Sequence, residues 1–224
     1  SAIRDWSYAR QPKVKPDALA DWLDRVESIA QRIAIGGTPE LEVVVHGDAR
    51  TFRNFHAGIV LRAAGFESPW GKGTNVLLSG QLITGRTSNE TSQAEIWLSA
   101  DNAHTPWAEA RQVLLTAQFA PSWTEWVPTH ARVEVQLNSA RIARGEARQV
   151  RLKLQSSPAT TNPAVRATEF QLTASEPSTT WGTASNVLIA GALTHSPTQW
   201  IPASGSASWT WENLHTRWGD ADNA

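Results

Sequence analysis

Apolar residues fall two apart along most of the chain, in two sets that return every 37 residues. The first set aligns Leu41, Leu78, Leu115, Leu152 and Ile189, then Val43, Gly80, Ala117, Leu154 and Gly191, then Val45, Leu82, Phe119, Ser156 and Leu193. Eighteen residues later come Ile59, Ile96, Val133, Phe170 and Ala207, then Leu61, Leu98, Val135, Leu172 and Trp209, then Ala63, Ala100, Leu137, Ala174 and Trp211. The residues between those of the second set are largely polar, with Val60 and Trp97 as exceptions. Alternation of period two is the mark of a strand with one buried face. Two sets per unit predict five hairpin-like units over about residues 33–217, ten strands in all.

The period also shows in the residues themselves. Trp70-Gly71-Lys72-Gly73-Thr74-Asn75-Val76-Leu77-Leu78-Ser79-Gly80 matches Trp181-Gly182-Thr183-Ala184-Ser185-Asn186-Val187-Leu188-Ile189-Ala190-Gly191 at Trp, Gly, Asn, Val, Leu and the last Gly. Steps of 37 from Trp70 reach Trp107, Arg144, Trp181 and Trp218. Glu109-Ala110-Arg111-Gln112-Val113 returns as Glu146-Ala147-Arg148-Gln149-Val150. A fixed period of this kind is read as structural repeats. The predicted fold is all-β, with antiparallel strands forming a β-sandwich or a flattened barrel. Gly80, Ala117 and Gly191 in a buried row favour close approach of two sheets, or strong strand bending, over a wide ligand cavity.

Ahead of the repeats, Leu19, Trp22, Leu23, Val26, Ile29, Ala30 and Ile33 follow helical spacing, opened by Pro16 and stopped by Gly36-Gly37. The chain thus divides into an arm and amphipathic helix, residues 1–35, and a repetitive all-β domain, residues 36–224. The helix either packs as a lid on its own sheet or docks a neighbouring subunit through Leu19, Trp22, Leu23 and Val26.

Composition narrows the function. A net charge of −1 argues against a surface that neutralises nucleic-acid phosphates. No apolar run reaches the length of a membrane helix and no signal-peptide pattern opens the chain, while Ser1 suits removal of an initiator Met. Cys and Met are both absent, which excludes disulfides and thiol metal sites. A sulfur-free chain suits an extracellular or virion setting and equally arises by compositional accident.

Candidate chemistry is sparse. His46-Gly47-Asp48, with His56 ten residues on, is the most enzyme-like cluster. Nothing repeats it in the other units and no nucleophile or third ligand accompanies it, so it reads as a turn after a strand. His104, His130, His195 and His215 form no ligand spacing, and no phosphate loop is present. No enzyme activity, metal or cofactor is expected. In the fourth unit Arg144 replaces the opening Trp, and Arg151 and Lys153 face away from Leu152 and Leu154, toward water or a charged partner.

The twelve Trp are the remaining excess. Trp70, Trp107, Trp181 and Trp218 recur by period and are expected as core or caps. Trp126 and Trp200, with Phe52 in the corresponding place and Trp123 nearby, sit at hairpin tips, where rings stack on sugars, anchor a protein partner or pack on their own unit. Two function classes follow. The first is a structural protein assembling through protein–protein contacts as a homo-oligomer or larger body, such as a virion or phage shell, spike or tail component. The second is a lectin-like carbohydrate-binding module with Trp123, Trp126, Trp200 and Phe52 as glycan contacts. A carrier of an apolar ligand ranks below both, and an enzyme last.

Overall fold

The computed structural model describes residues 28, 31–47, 56–83, 92–120, 128, 130–159, 165–196 and 201–223. Its strands are β1 (Ala34–Gly36), β2 (Glu40–His46), β3 (His56–Ser68), β4 (Gly71–Ile83), β5 (Gln93–His104), β6 (Ala108–Phe119) and β7 (Ala131–Ile142). They continue as β8 (Gly145–Pro158), β9 (Arg166–Thr179), β10 (Gly182–Thr183), β11 (Asn186–His195), β12 (Ser204–Thr216) and β13 (Gly219–Asn223). All pair antiparallel within a single sheet. β1 and β2 lie end to end along β3, and β10 and β11 end to end along β9. The rest is an uninterrupted meander in which each strand pairs with the next.

Register turns the sequence period into geometry. Leu41, Leu61, Leu78, Leu98, Leu115, Val135, Leu152, Leu172, Ile189 and Trp209 are successive cross-strand partners. The row beside it runs Val43, Ile59, Gly80, Ile96, Ala117, Val133, Leu154, Phe170, Gly191 and Ala207. A one-residue slip would move every such residue to the other face, so one apolar face locks the register of the whole meander.

The described strands form one hydrogen-bonded sheet with no enclosed core. No described strand comes within 8 Å, Cα to Cα, of any strand except its hydrogen-bonded neighbours. Val76, Ala100 and Ala117 are the buried apolar residues, and none of the larger side chains is fully enclosed. A sandwich needs a second layer and a barrel needs closure. Among the described residues, β2 on one edge and β13 on the other find no further strand.

The strands also carry a feature that continuous alternation does not anticipate. Asn75, Gln112 and Gln149 have φ of 49°, 49° and 46°, in the left-handed region that costs a non-glycine residue energy. Each is the second of two consecutive exposed positions, 74–75, 111–112 and 148–149, after which the sheltered positions change parity. In β8, for example, residues 145 and 147 are sheltered on one side of the slip and 150, 152 and 154 on the other. The repeated string Glu-Ala-Arg-Gln-Val is this slip written in sequence. Glu176 and Asn213, at 48° and 51°, continue the line through β9 and β12.

Candidate functional site

The dominant surface is the apolar face of the sheet. On the side of the slip away from the tight turns it holds the Leu-rich row, the Val43–Ala207 row and the flanking row Val45, Ala57, Leu82, Ala94, Phe119, Ala131 and Ser156. On the other side the row becomes Ile35, Phe66, Gly73, Ala103, Ala110, Ala140 and Ala147. At the ends of the sheet these side chains face open space: Leu41 is 62 % exposed, Val43 59 % and Trp209 63 %. In the central strands they are half-buried, sheltered by one another.

Gly80 and Gly191 make the middle row shallow for a steric reason. A methyl group on Gly191 would lie 2.8 Å from the Phe170 ring and against the Ser206 carbonyl, whereas one on Gly80 would meet Ile59 Cγ2 at 3.1 Å. At the long-loop end the face closes on polar groups. Ser156, Arg166 and His195 are buried there, and Arg166 pairs in register with Pro158 and His195.

The opposite face carries Val44, Val60, Leu77, Trp97 and Leu114 but is otherwise largely polar and knitted by side-chain hydrogen bonds. Glu95 accepts from Gln81 Nε2 at 2.6 Å and Gln118 Nε2 at 3.1 Å, and these amides, Gln118 foremost, hold its carboxyl below the ordinary value. Glu134 accepts from Gln136 Nε2 at 2.7 Å and pairs with Arg151. The Gln136 bond is the main cause that lowers its carboxyl, partial burial opposes it, and Arg151 and Lys153 reinforce it. A groove of about 840 Å³ crosses this face over β7, β8, β9, β11 and β12, walled by Arg132, Lys153, Gln155, Glu169 and Gln171. Its charges are of mixed sign, and Glu134 in its lining is paired with Arg151. Arg151 and Lys153 do lie opposite the Leu152–Leu154 side, but Arg151 is engaged within the sheet.

The recurrent Trp residues occupy the tight turns. Ser68, Thr105, Thr179 and Thr216 each accept the N–H of the Trp two residues on, at 3.2–3.3 Å, and donate to the carbonyl of the residue after it. This Ser/Thr turn fixes the backbone and leaves the ring outside. Trp70 is 49 % exposed, Trp107 73 %, Trp181 47 % and Trp218 70 %, so of the two roles expected, core or cap, burial in a core does not apply. The fourth turn, Ile142 to Gly145, carries exposed Ile142 instead. Arg144 lies 5.9 Å from the Trp181 ring centroid and Arg217 4.2 Å from that of Trp218, within cation–π range.

The residues singled out as contacts, Phe52, Trp123, Trp126 and Trp200, lie outside the described residues, as do Leu19, Trp22, Leu23 and Val26 of the expected helix. His46 and His56 are direct cross-strand partners at the end of β2 and β3, both exposed, while Asp48 lies outside the described residues. Among the described residues no three His, Asp or Glu converge to hold a metal ion. No helix among them is long and apolar enough to cross a membrane. The sequence showed the rows of this face and led to the expectation that a sandwich or flattened barrel buries them. No protein-family model, curated protein or solved structure matches the chain.

Proposed function

We propose that the protein is a non-enzymatic binding protein whose apolar sheet face receives the acyl chains of lipids. The observation that carries this reading is the apolar ladder, continuous over ten cross-strand partners from Leu41 to Trp209 and exposed at both ends among the described residues. Each methylene removed from water contributes about 0.8 kcal/mol, so an acyl chain gains affinity from such a surface without any directed contact. Protein partners draw most of their affinity from a few Tyr, Trp or Arg anchors and from interfacial hydrogen bonds. From β2 to β8 the ladder offers aliphatic side chains and neither of these. A carrier therefore moves ahead of the order that the sequence alone favoured.

A second reading is assembly with another copy, and the edges of β2 and β13, unpaired among the described residues, support it. Another sheet laid on the same face would produce the sandwich expected from sequence, in a structural homo-oligomer of the virion or phage type. The lectin-like alternative rests on Phe52, Trp123, Trp126 and Trp200 and gains no support from the sheet.

Native mass spectrometry of the purified protein, with organic extraction of whatever it carries, separates these readings. Co-purifying lipid, displaced by excess fatty acid, is the expected result for a monomer. A lipid-free dimer or larger body that persists on dilution would overturn the carrier and establish assembly. A lipid-free monomer retained on a glycan array would instead favour the lectin-like module.

A further inference from the structure

We infer that the tight-turn end of the sheet docks on the interfacial zone of a phospholipid bilayer. The inference stands on the turns, not on the apolar face, and survives failure of the acyl-chain reading. Five turns, one per 37 residues, each present one large exposed apolar side chain: Trp70, Trp107, Ile142, Trp181 and Trp218. Successive turns are two strands apart, so the anchors stand about 10 Å from one another along one end of the sheet. Four of the five are Trp, the residue whose apolar body and N–H donor suit the boundary between headgroups and acyl chains.

Charge at this end agrees. Within two residues of each pair of turn residues, Lys72, Arg141, Arg144 and Arg217 face Glu67, Glu109, Glu146 and Asp220, four of each sign. The row is thus neutral overall, and a zwitterionic headgroup layer meets no net repulsion. Arg144 and Arg217 sit beside the rings of Trp181 and Trp218, where a guanidinium reaches the phosphate while the indole lies below it.

Three observations set a glycan behind a bilayer. Arg217 covers one face of the Trp218 ring at 4.2 Å, a face a sugar would need. The carboxylates best placed for sugar hydroxyls are taken, Glu109 by His104 at 3.2 Å and Asp220 by His215 at 3.0 Å. Ile142 inserts into acyl chains but stacks on no sugar. A folded protein partner is disfavoured because the row is one side chain deep, whereas a stable interface takes roughly 800 Å² from each partner.

The test is co-flotation of the full chain with phosphatidylcholine vesicles, paired with quenching of its Trp fluorescence by lipids brominated near the headgroup. The wild type is expected to float and be quenched. Trp107→Ser with Trp218→Ser, which removes the two most exposed rings, should cut the bound fraction at least tenfold at equal lipid. Ile142→Ser should weaken flotation with no Trp removed. Circular dichroism confirms that each variant is folded. No wild-type flotation, or equal flotation of the double variant, overturns the inference, and retention on insoluble cellulose or chitin without flotation assigns the row to a glycan. Binding of a monomeric fluorescent fatty acid is measured on the same variants. Its persistence when flotation is lost shows that the turns and the apolar face act separately.

Discussion

Asn75 and Asp101 are joined across β4 and β5 by a 2.6 Å hydrogen bond from Nδ2 to Oδ2. The bond sits where pairing breaks between Thr74–Asn102 and Leu77–Ser99, and the same register resumes on either side. Asn tolerates the left-handed backbone better than most residues, and its amide holds the neighbouring strand at the slip. The same line is tied at its far end by Asn213 Nδ2 donating to Ser185 Oγ at 3.0 Å, and by the Arg148–Glu176 ion pair at 2.9 Å.

Asn75→Ala is therefore expected to lose roughly 1–2 kcal/mol, from left-handed strain and the missing bond. Asn75→Gly, which relieves the strain, should lose less. Urea denaturation of the two variants checks the order, and an Ala variant as stable as the Gly variant would refute the backbone argument.

The half-buried state of Leu115 sets the cost of opening the ladder. Leu→Ala in an enclosed core loses about 2–5 kcal/mol. Leu115→Ala on this half-buried face should lose about 1–2 kcal/mol, because less area leaves water when the face forms. A loss of about 4 kcal/mol in denaturant titration would mean that something covers Leu115.

The two glycines of the middle row predict different outcomes. Gly191→Ala drives a methyl group into the Phe170 ring and the Ser206 carbonyl, and overpacking of this kind costs about 1–3 kcal/mol. Gly80→Ala meets one movable methyl of Ile59 and should cost clearly less. Thermal melts of both variants decide it.

The Glu134–Arg151 pair predicts a pH dependence. Because folding lowers the Glu134 carboxyl, its contribution is complete above the unfolded value near 4.3 and disappears as pH falls through the folded value. Glu134→Gln should lose no more than about 1 kcal/mol at neutral pH, since solvent screens the pair. The difference from wild type should shrink below about pH 4 and fade with added salt. A gap in melting temperature that widened on acidification would contradict the assignment.

Much of the sheet was legible in the sequence because its signals are local and periodic. The apolar rows, the spacing of the turns and the isolation of the His46 triplet all follow from residue order. The left-handed slips were not legible as such. Asn75, Gln112 and Gln149 occur in step with the period, but only backbone geometry distinguishes a parity change from an ordinary polar position. Whether the turn Trp residues were core or caps was not legible, because a recurring aromatic carries no sign of which side of a hairpin it occupies. The Ser or Thr two residues ahead was the available signal, since its hydroxyl fixes the turn and frees the ring.

The sequence by itself determined that the chain is built of antiparallel β-strands with one apolar face, because period-two burial and strand register depend on neighbouring residues. Whether that face meets a second layer was a tertiary decision. It depends on how strands far apart in sequence lie in space, and the same alternation satisfies a sandwich, a barrel or an open sheet. In the arrangement of the described strands, the apolar rows are exposed at the ends of the sheet and half-buried in its middle, and the Trp turns stand along one end.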